Sequence, residues 1–199
     1  MFDKGIKYIL FIYKLLFIFD KNYITNEDGW GGAIYAGTSS DVTLINDRFL
    51  NNSALAIGAV GLFKTATVDG CYFEGNKATA TNDDGGGALF LGAVSSTSVK
   101  GVVSGSTFKN NESKADGGAI GTRNGANSTG ISNVNAKLTI DSSIFTNNEA
   151  KGTVISHETT GDFTGGNGGA IANHFYKNTT DDIGVIVSNS SFIGNIAAN

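Results

Sequence analysis

Residues 108–120 read Phe-Lys-Asn-Asn-Glu-Ser-Lys-Ala-Asp-Gly-Gly-Ala-Ile, and they hold both halves of a pattern that recurs along the chain. The first half is Phe followed three residues later by Asn. It occurs as Phe49–Asn52, Phe73–Asn76, Phe108–Asn111, Phe145–Asn148 and Phe192–Asn195. The second half is Gly-Ala or Gly-Gly-Ala followed by an aliphatic residue. It ends in Ala33-Ile34, Ala59-Val60, Ala88-Leu89, Ala119-Ile120 and Ala170-Ile171. Self-similarity at a period of a few tens of residues marks a stacked repeat architecture. Such a solenoid offers a long regular surface in place of a single deep pocket.

Aligning the copies on Phe yields the local structure. Five residues earlier stand Leu44, Val68, Val103, Ile140 and Val187; seven earlier stand Val42, Ala66, Gly101, Leu138 and Val185. This alternation predicts a short strand with one buried face. The Phe has the wrong parity to continue that face, so the chain must bend just before it. Asn46, Gly70, Gly105, Ser142 and Asn189, three residues before each Phe, are turn-prone and supply the bend. After two variable residues, Asn52, Asn76, Asn111, Asn148 and Asn195 are expected to form an amide ladder at one corner, with Asn tolerating left-handed backbone there. Polar ligand binding is the alternative role for them. The glycines open a second face, with Asp28, Asp84, Asp116 or Asn167 shortly before them as turn chemistry.

The Ala-to-Ala spacing drifts from 26 to 29, 31 and 51 residues, which suits a stacked coil with variable loops. Each coil needs at least two strands and a corner, and residues 152–156 are candidates for an extra strand. The predicted fold is all-β: a right-handed parallel β-helix of about five coils over residues 29–199. Phe49, Phe73, Phe108, Phe145 and Phe192 should form an internal ring stack.

Composition narrows the function. Gly is 28 of 199 residues, about twice the usual share, and Pro is absent, favouring tight turns over Pro-rich linkers. Charged residues are only 16%, and the net charge is −4. With Arg48 and Arg123 the only arginines, there is no footprint for nucleic acid. The single cysteine, Cys71, excludes an internal disulfide and reads as a small buried filler.

Residues 1–28 form a separate segment. Ile6 to Phe19 is apolar except at Lys7 and Lys14 and is expected to be helical. It is short for a membrane span, and no small-residue cleavage site follows it. A signal or signal anchor able to associate with a membrane, a cap on the first coil, and a fragmentary gene start are all open readings.

The Phe-x-x-Asn and Gly-Gly-Ala-aliphatic motifs together resemble the repeats of chlamydial-type polymorphic outer membrane proteins. All five Phe copies fit, and four of the five glycine copies do; Ile57-Gly58-Ala59 departs at its first position. The resemblance implies an autotransporter-like, secreted or outer-membrane β-helix adhesin. Its expected partner is a protein or glycan on a host or neighbouring cell. Family members of the autotransporter kind carry a C-terminal membrane barrel; this chain is expected to be a fragment or a short relative.

Parallel β-helices also include polysaccharide lyases and hydrolases, which place two carboxylates within about 5–9.5 Å. Asp69 and Asp141 share the outward position four before Phe, two coils apart, and Asp47 is a further candidate. Arg48 and Lys100 are the only accompanying bases in that alignment. Scattered surface acids are the plainer reading. His157 and His174 lack a third zinc ligand. Asp83-Asp84 and Asp181-Asp182 are loop acid pairs without a calcium-binding period. Gly117 to Gly125 lacks a phosphate-loop Lys-Ser/Thr. No cofactor or metal is expected. Sequons stand at Asn51, Asn111, Asn127, Asn178 and Asn189 and matter only in a eukaryotic secretory pathway. The expected function is non-catalytic adhesion or spacing. Contacts would come from flat outer faces and from the loops Ala80–Gly85, Gly121–Ala136 and Lys151–Asn167.

Overall fold

A computed structural model of the protein describes residues 16–25, 29–81, 85–93, 99–124, 136–152, 166–175 and 184–198. Within them the chain winds as a parallel β-helix with four sheets. The first two motifs of the sequence lie on two of these sheets. A phenylalanine sheet stacks Ile18–Asp20, Arg48–Leu50, Tyr72–Glu74, Thr107–Lys109, Ile144–Thr146 and Ser191–Ile193. A glycine sheet stacks Ile34–Ala36, Val60–Leu62, Leu89–Gly92, Ile120–Asn124 and Ile171–Phe175. Between them in chain order lies a valine sheet of Val42–Ile45, Ala66–Asp69, Val99–Ser104, Ala136–Asp141 and Val185–Ser188. Two-residue strands, from Ser53–Ala54 through Ile196–Ala197, complete each winding as an alanine sheet. Register is strict: Phe49 pairs with Phe73, Phe73 with Phe108, Phe108 with Phe145, and Phe145 with Phe192.

The interior is built as the alternation requires. Leu44, Val68, Val103 and Ile140 point inward and are buried, as are Val60, Leu89 and Ile120 from the glycine sheet. The chain turns into the phenylalanine sheet through left-handed residues at Asn46, Gly70, Gly105, Ser142 and Asn189, with φ between 46° and 60°. The bend predicted before each Phe is thus a single residue in the left-handed region, which Gly adopts without steric cost and Asn more readily than other side chains; Ser142 is the one copy with neither.

Two expectations are corrected at this sheet. The ladder asparagines are not the left-handed residues. That conformation belongs to the residue just before each: Asn51, Gly75, Asn110, Asn147 and Gly194. One of the two supposedly variable positions therefore holds Asn or Gly in these five copies, and Lys21, just before Asn22, takes the same conformation with φ 56°. The second correction concerns the N-terminal segment. Residues 1–15 lie outside the described residues, but its end is a strand and not a helix. Ile18–Asp20 pairs in parallel with Arg48–Leu50, placing Phe19 on Phe49. Phe19–Asn22 is a sixth copy of the motif, so among the described residues the parallel stacking already includes Ile18–Asp20. The extra strand suggested at residues 152–156 falls largely outside the described residues.

Three side-chain columns run along the axis. Six rings, Phe19 to Phe192, stack with centroids 4.7–4.8 Å apart and planes within 9°. Phe49, Phe73, Phe108 and Phe145 are wholly buried. Beside them runs the amide ladder. Each Asn donates both its backbone N–H and its Nδ2 to the Oδ1 of the next, from Asn22 through Asn52, Asn76, Asn111 and Asn148 to Asn195. The second Nδ2 hydrogen reaches back to the Phe carbonyl of the preceding winding, as from Asn111 to Phe73. This satisfies the side chain's whole capacity, which is why amides can be buried here. A third column, two residues before each Phe, holds Asp47, Cys71, Ser106, Ser143 and Ser190. Ser106, Ser143 and Ser190 each accept the backbone N–H of the preceding winding and donate to a carbonyl two residues earlier in their own.

The second glycine of each Gly-Gly-Ala explains itself by contact. A Cβ on Gly58, Gly87 or Gly118 would sit 1.8–2.1 Å from the carbonyl oxygen of the equivalent glycine one winding on. This glycine is present in all five copies, including the copy whose first glycine is replaced by Ile57. The glycine sheet is thus held by close backbone approach. The alanine carbonyl of each following winding accepts two N–H donors, as Ala119 does from Ala88 and Leu89.

Candidate functional site

With the inward positions occupied by columns, contacts with other molecules fall to the outer faces. On the valine sheet the outward row six before Phe holds Thr43, Thr67, Val102, Thr139 and Ile186, short or β-branched side chains in register. Next to it runs Ile45, Asp69, Ser104, Asp141 and Ser188. The Ser104 hydroxyl donates to Asp69 at 2.7 Å, and the Ser188 hydroxyl donates to Asp141 at 2.7 Å. Asp141 also accepts from Asn189 Nδ2 and the Ser142 hydroxyl. The donations of Ser188, Asn189 and Ser142 to the charged form hold its carboxyl below the usual range. Lys100 and Lys137 pair in register at the far side of this face.

The phenylalanine sheet's outer face is a small ionic mosaic. The Arg48 guanidinium lies 5.2 Å from the Tyr72 ring centroid, and the Tyr72 hydroxyl donates to Glu74 at 2.9 Å. Glu74 pairs with Lys109 of the next winding at 3.1 Å. At the neighbouring corner Lys151 sits between Glu112 at 3.0 Å and Glu149 at 3.2 Å, and Lys77 approaches Glu112 at 3.6 Å. Burial pushes Glu112 up, but its hydrogen bond from Lys151 and the charges of Lys77 and Lys151 outweigh that and hold it below the ordinary value. These partly exposed pairs set register between windings more than they add stability.

The outer side of the glycine sheet carries a feature that the motif alignment passed over. Phe90 points outward yet is wholly buried, packed with Ile57, Ala56, Phe63 and partly buried Trp30. Ring centroids lie 5.4 Å apart for Trp30–Phe63, 5.5 Å for Tyr35–Phe63 and 5.8 Å for Phe63–Phe90. Gly92 and Gly121 leave room for it; a Cβ on Gly92 would fall 2.6 Å from the Phe90 ring. The signal was in the sequence, where Phe90 interrupts Leu89 and Leu91 at outward parity.

The candidate acids do not come together. Asp47 is buried in the serine column, where its Oδ1 accepts the Phe17 N–H at 3.1 Å, and it does not join Asp69 on the outer face. Asp69 and Asp141 do share one outward row, but Ser104 of the intervening winding pairs in register with both. Two strand steps put them about 10 Å apart. Arg48 is on a different sheet, over Tyr72. Cys71 is buried as expected, standing where later windings carry serine; burial first, then the nearby Asp47 and Asp69 charges, pushes its thiol up to about 11. His157, Asp83, Asp84, Asp181, Asp182, Asn127 and Asn178 lie outside the described residues, as does the side chain of His174. Among the described residues no group of three or more His, Cys, Asp or Glu side chains is placed to hold a metal, and no helix is long and apolar enough to cross a membrane. Of the other sequons, Asn111 is buried in the ladder, while Asn51 and Asn189 are exposed.

The matched side-chain columns are what the comparison with known families picks out. Residues 105–123 and 142–174 match the family described as the Chlamydia polymorphic membrane protein (Chlamydia_PMP) repeat. Those two segments are similar to polymorphic membrane protein repeats. The first match spans Phe108, Asn111 and Gly117–Ile120, and the second spans Phe145, Asn148 and Gly168–Ile171. Both halves of the motif therefore fall inside each matched segment. The polymorphic membrane proteins are outer-membrane or surface proteins, which gives this chain a coarse surface location. No curated protein and no solved structure matches the chain.

Proposed function

We propose that this protein is a non-catalytic surface solenoid that binds a protein or glycan on a host or neighbouring cell and holds that contact away from its own surface. The observation that carries the reading is the division of labour along each winding. Inward positions are committed to rings, amides and hydroxyls that lock the column, while outward positions of the valine sheet are short side chains free to vary without cost to the stack. Repetition at one strand spacing multiplies weak contacts along the axis, which suits binding by avidity.

Catalysis on acidic polysaccharide is the competing reading. The wide Asp69–Asp141 spacing, the burial of Asp47 and the lowered carboxyl of Asp141 all weigh against a paired general acid and base. The test uses beads coated with the chain and cultured host cells. Saturable attachment that drops when Thr67 and Thr139 are both changed to Lys supports adhesion through the valine face. Absence of attachment, or release of oligosaccharides from an acidic polysaccharide that Asp69→Asn or Asp141→Asn abolishes, overturns it.

A further inference from the structure

The outer face of the glycine sheet sets rings against glycines in two rows. In register along the first row stand Tyr35, Gly61, Phe90 and Gly121. Two residues on, the second row holds Gly37, Phe63, Gly92 and Arg123. In the first three windings a ring in one row therefore has a glycine beside it in the other, and the ring changes rows from one winding to the next. The glycines leave the space in which the rings lie. A Cβ on Gly61 would stand 3.7 Å from the Tyr35 ring and 3.6 Å from the Phe63 ring. One on Gly92 would stand 2.9 Å from Phe63 and 2.6 Å from Phe90. A Cβ on Gly37 would have only the Tyr35 ring near it among the described residues, at 3.9 Å.

Exposure changes sharply along these rings. Phe90 and Phe63 are buried, whereas Tyr35 is 57% exposed. Trp30, partly buried, packs on Phe63 as Tyr35 does, so Phe63 is the shared base of both. A surface ring held on buried rings is fixed before any ligand arrives, which lowers the entropy lost on binding. Both outer side chains are amphipathic. Among the described residues neither the Tyr35 hydroxyl nor the Trp30 indole N–H has a hydrogen-bond partner, and an aromatic body with a polar tip to spare is the chemistry of a contact surface. The charge next to the rings is cancelled: Lys64, which follows Phe63, pairs with Asp41 at 3.4 Å.

We propose that Tyr35 and Trp30 form a stacking site for a pyranose ring of a neutral glycan. A pyranose offers the complementary surface. One of its faces is a patch of C–H bonds that lies on an aromatic ring, and its rim is a set of hydroxyls that take hydrogen bonds from the Tyr35 hydroxyl and the indole N–H. An acyl chain would cover those two polar tips without giving them partners. A charged ligand would find no uncompensated charge to meet, because Lys64 and Asp41 neutralise each other. The site is on a different sheet from the valine face, so it stands or falls separately from attachment through Thr67 and Thr139.

Trp30 is the chain's only tryptophan, so its fluorescence reports on this site alone. The experiment titrates the whole chain with neutral oligosaccharides of glucose, galactose, mannose and N-acetylglucosamine. Polygalacturonate is the charged probe, and phosphatidylcholine vesicles are the lipid probe. At least one neutral oligosaccharide should change the Trp30 emission saturably and shield it from quenching by acrylamide. Tyr35→Ala should weaken that binding about tenfold, as truncating an aromatic anchor does. Tyr35→Phe keeps the ring and should bind more tightly than Tyr35→Ala, while Thr67→Lys on the valine face should bind as wild type does. Circular dichroism confirms folding of every variant. The proposal is overturned if no neutral oligosaccharide affects Trp30, or if only polygalacturonate or the vesicles do. It is equally overturned if folded Tyr35→Ala binds as tightly as wild type, if Tyr35→Phe binds no better than Tyr35→Ala, or if Thr67→Lys abolishes the signal.

Discussion

Asn111→Ala removes the most connected side chain of the column. Asn111 Oδ1 accepts the Asn76 N–H at 3.0 Å and Asn76 Nδ2 at 2.9 Å, while its Nδ2 donates to Asn148 Oδ1 at 2.9 Å and to the Phe73 carbonyl at 3.1 Å. Without it the buried Asn76 N–H has lost its acceptor, at about 1–3 kcal/mol, and three other groups each lose one bond at about 0.5–1.5 kcal/mol. The sum is about 3–7 kcal/mol, a large share of the roughly 5–15 kcal/mol that holds a domain together. Asn111→Asp tests the donor role separately. A buried carboxylate there faces Asn148 Oδ1 and cannot donate, so its folded pKa must rise above the unfolded value near 4. Its penalty is then full at neutral pH and shrinks as pH falls toward the unfolded value, where the protonated acid can donate again. Urea unfolding followed by far-UV circular dichroism at pH 7 and at acidic pH reads both effects. Asn110→Asp, one residue away but exposed, is the control. A cost below about 1 kcal/mol for Asn111→Ala, or equal costs for Asp at 110 and 111, refutes the ladder as a source of stability.

Three further outcomes follow from the same columns. Gly87→Ala should prevent stable folding or cost several kcal/mol, because its Cβ would lie 2.0 Å from the Gly118 oxygen. Gly37→Ala, whose nearest neighbour is 3.9 Å away, should be nearly neutral in the same unfolding assay. Phe108→Ala should cost about 3–5 kcal/mol by leaving a cavity between two stacked rings, and Phe192→Ala clearly less, because that ring is already half exposed. Cys71 keeps its proton in the folded chain up to about 11 against an ordinary 9.0, so its contribution is complete below pH 9 and is lost as pH rises toward 11. Relative to Cys71→Ser, wild type should lose stability over that interval, and its thiol should react with a disulfide reagent only as fast as the chain opens.

Much of this architecture was legible because a solenoid writes its contacts as sequence periods. The rings, the ladder asparagines and the bend before each Phe could all be placed by alignment, since residues that touch are one repeat apart. Phe19–Asn22 escaped because it lies at the end of an apolar run whose hydrophobicity reads as a leader or a helix. Only the register with Phe49 and Asn52 shows it to be a winding. The ladder and the left-handed turn were confounded because Asn serves both, side by side in Asn51-Asn52, Asn110-Asn111 and Asn147-Asn148. Gly75 and Gly194 at the first of these positions were the clue, since glycine replaces a left-handed asparagine but cannot replace a ladder amide. Asp47 was misplaced because its neighbours in register are Cys71 and Ser106, and small polar residues are as common outside a sheet as inside it. The external aromatic cluster around Phe90 obeys no repeat, so periodicity carried no trace of it.

The adjacent asparagines offer the most direct test of the central claim that equivalent side chains stack along the axis. Side-chain amide hydrogen exchange, followed residue by residue by NMR, distinguishes inside from outside at each pair. The Nδ2 protons of Asn76, Asn111 and Asn148 should exchange only through global unfolding, while those of Asn51, Asn110 and Asn147 exchange close to free-amide rates. Equal exchange of the two sets would contradict the account.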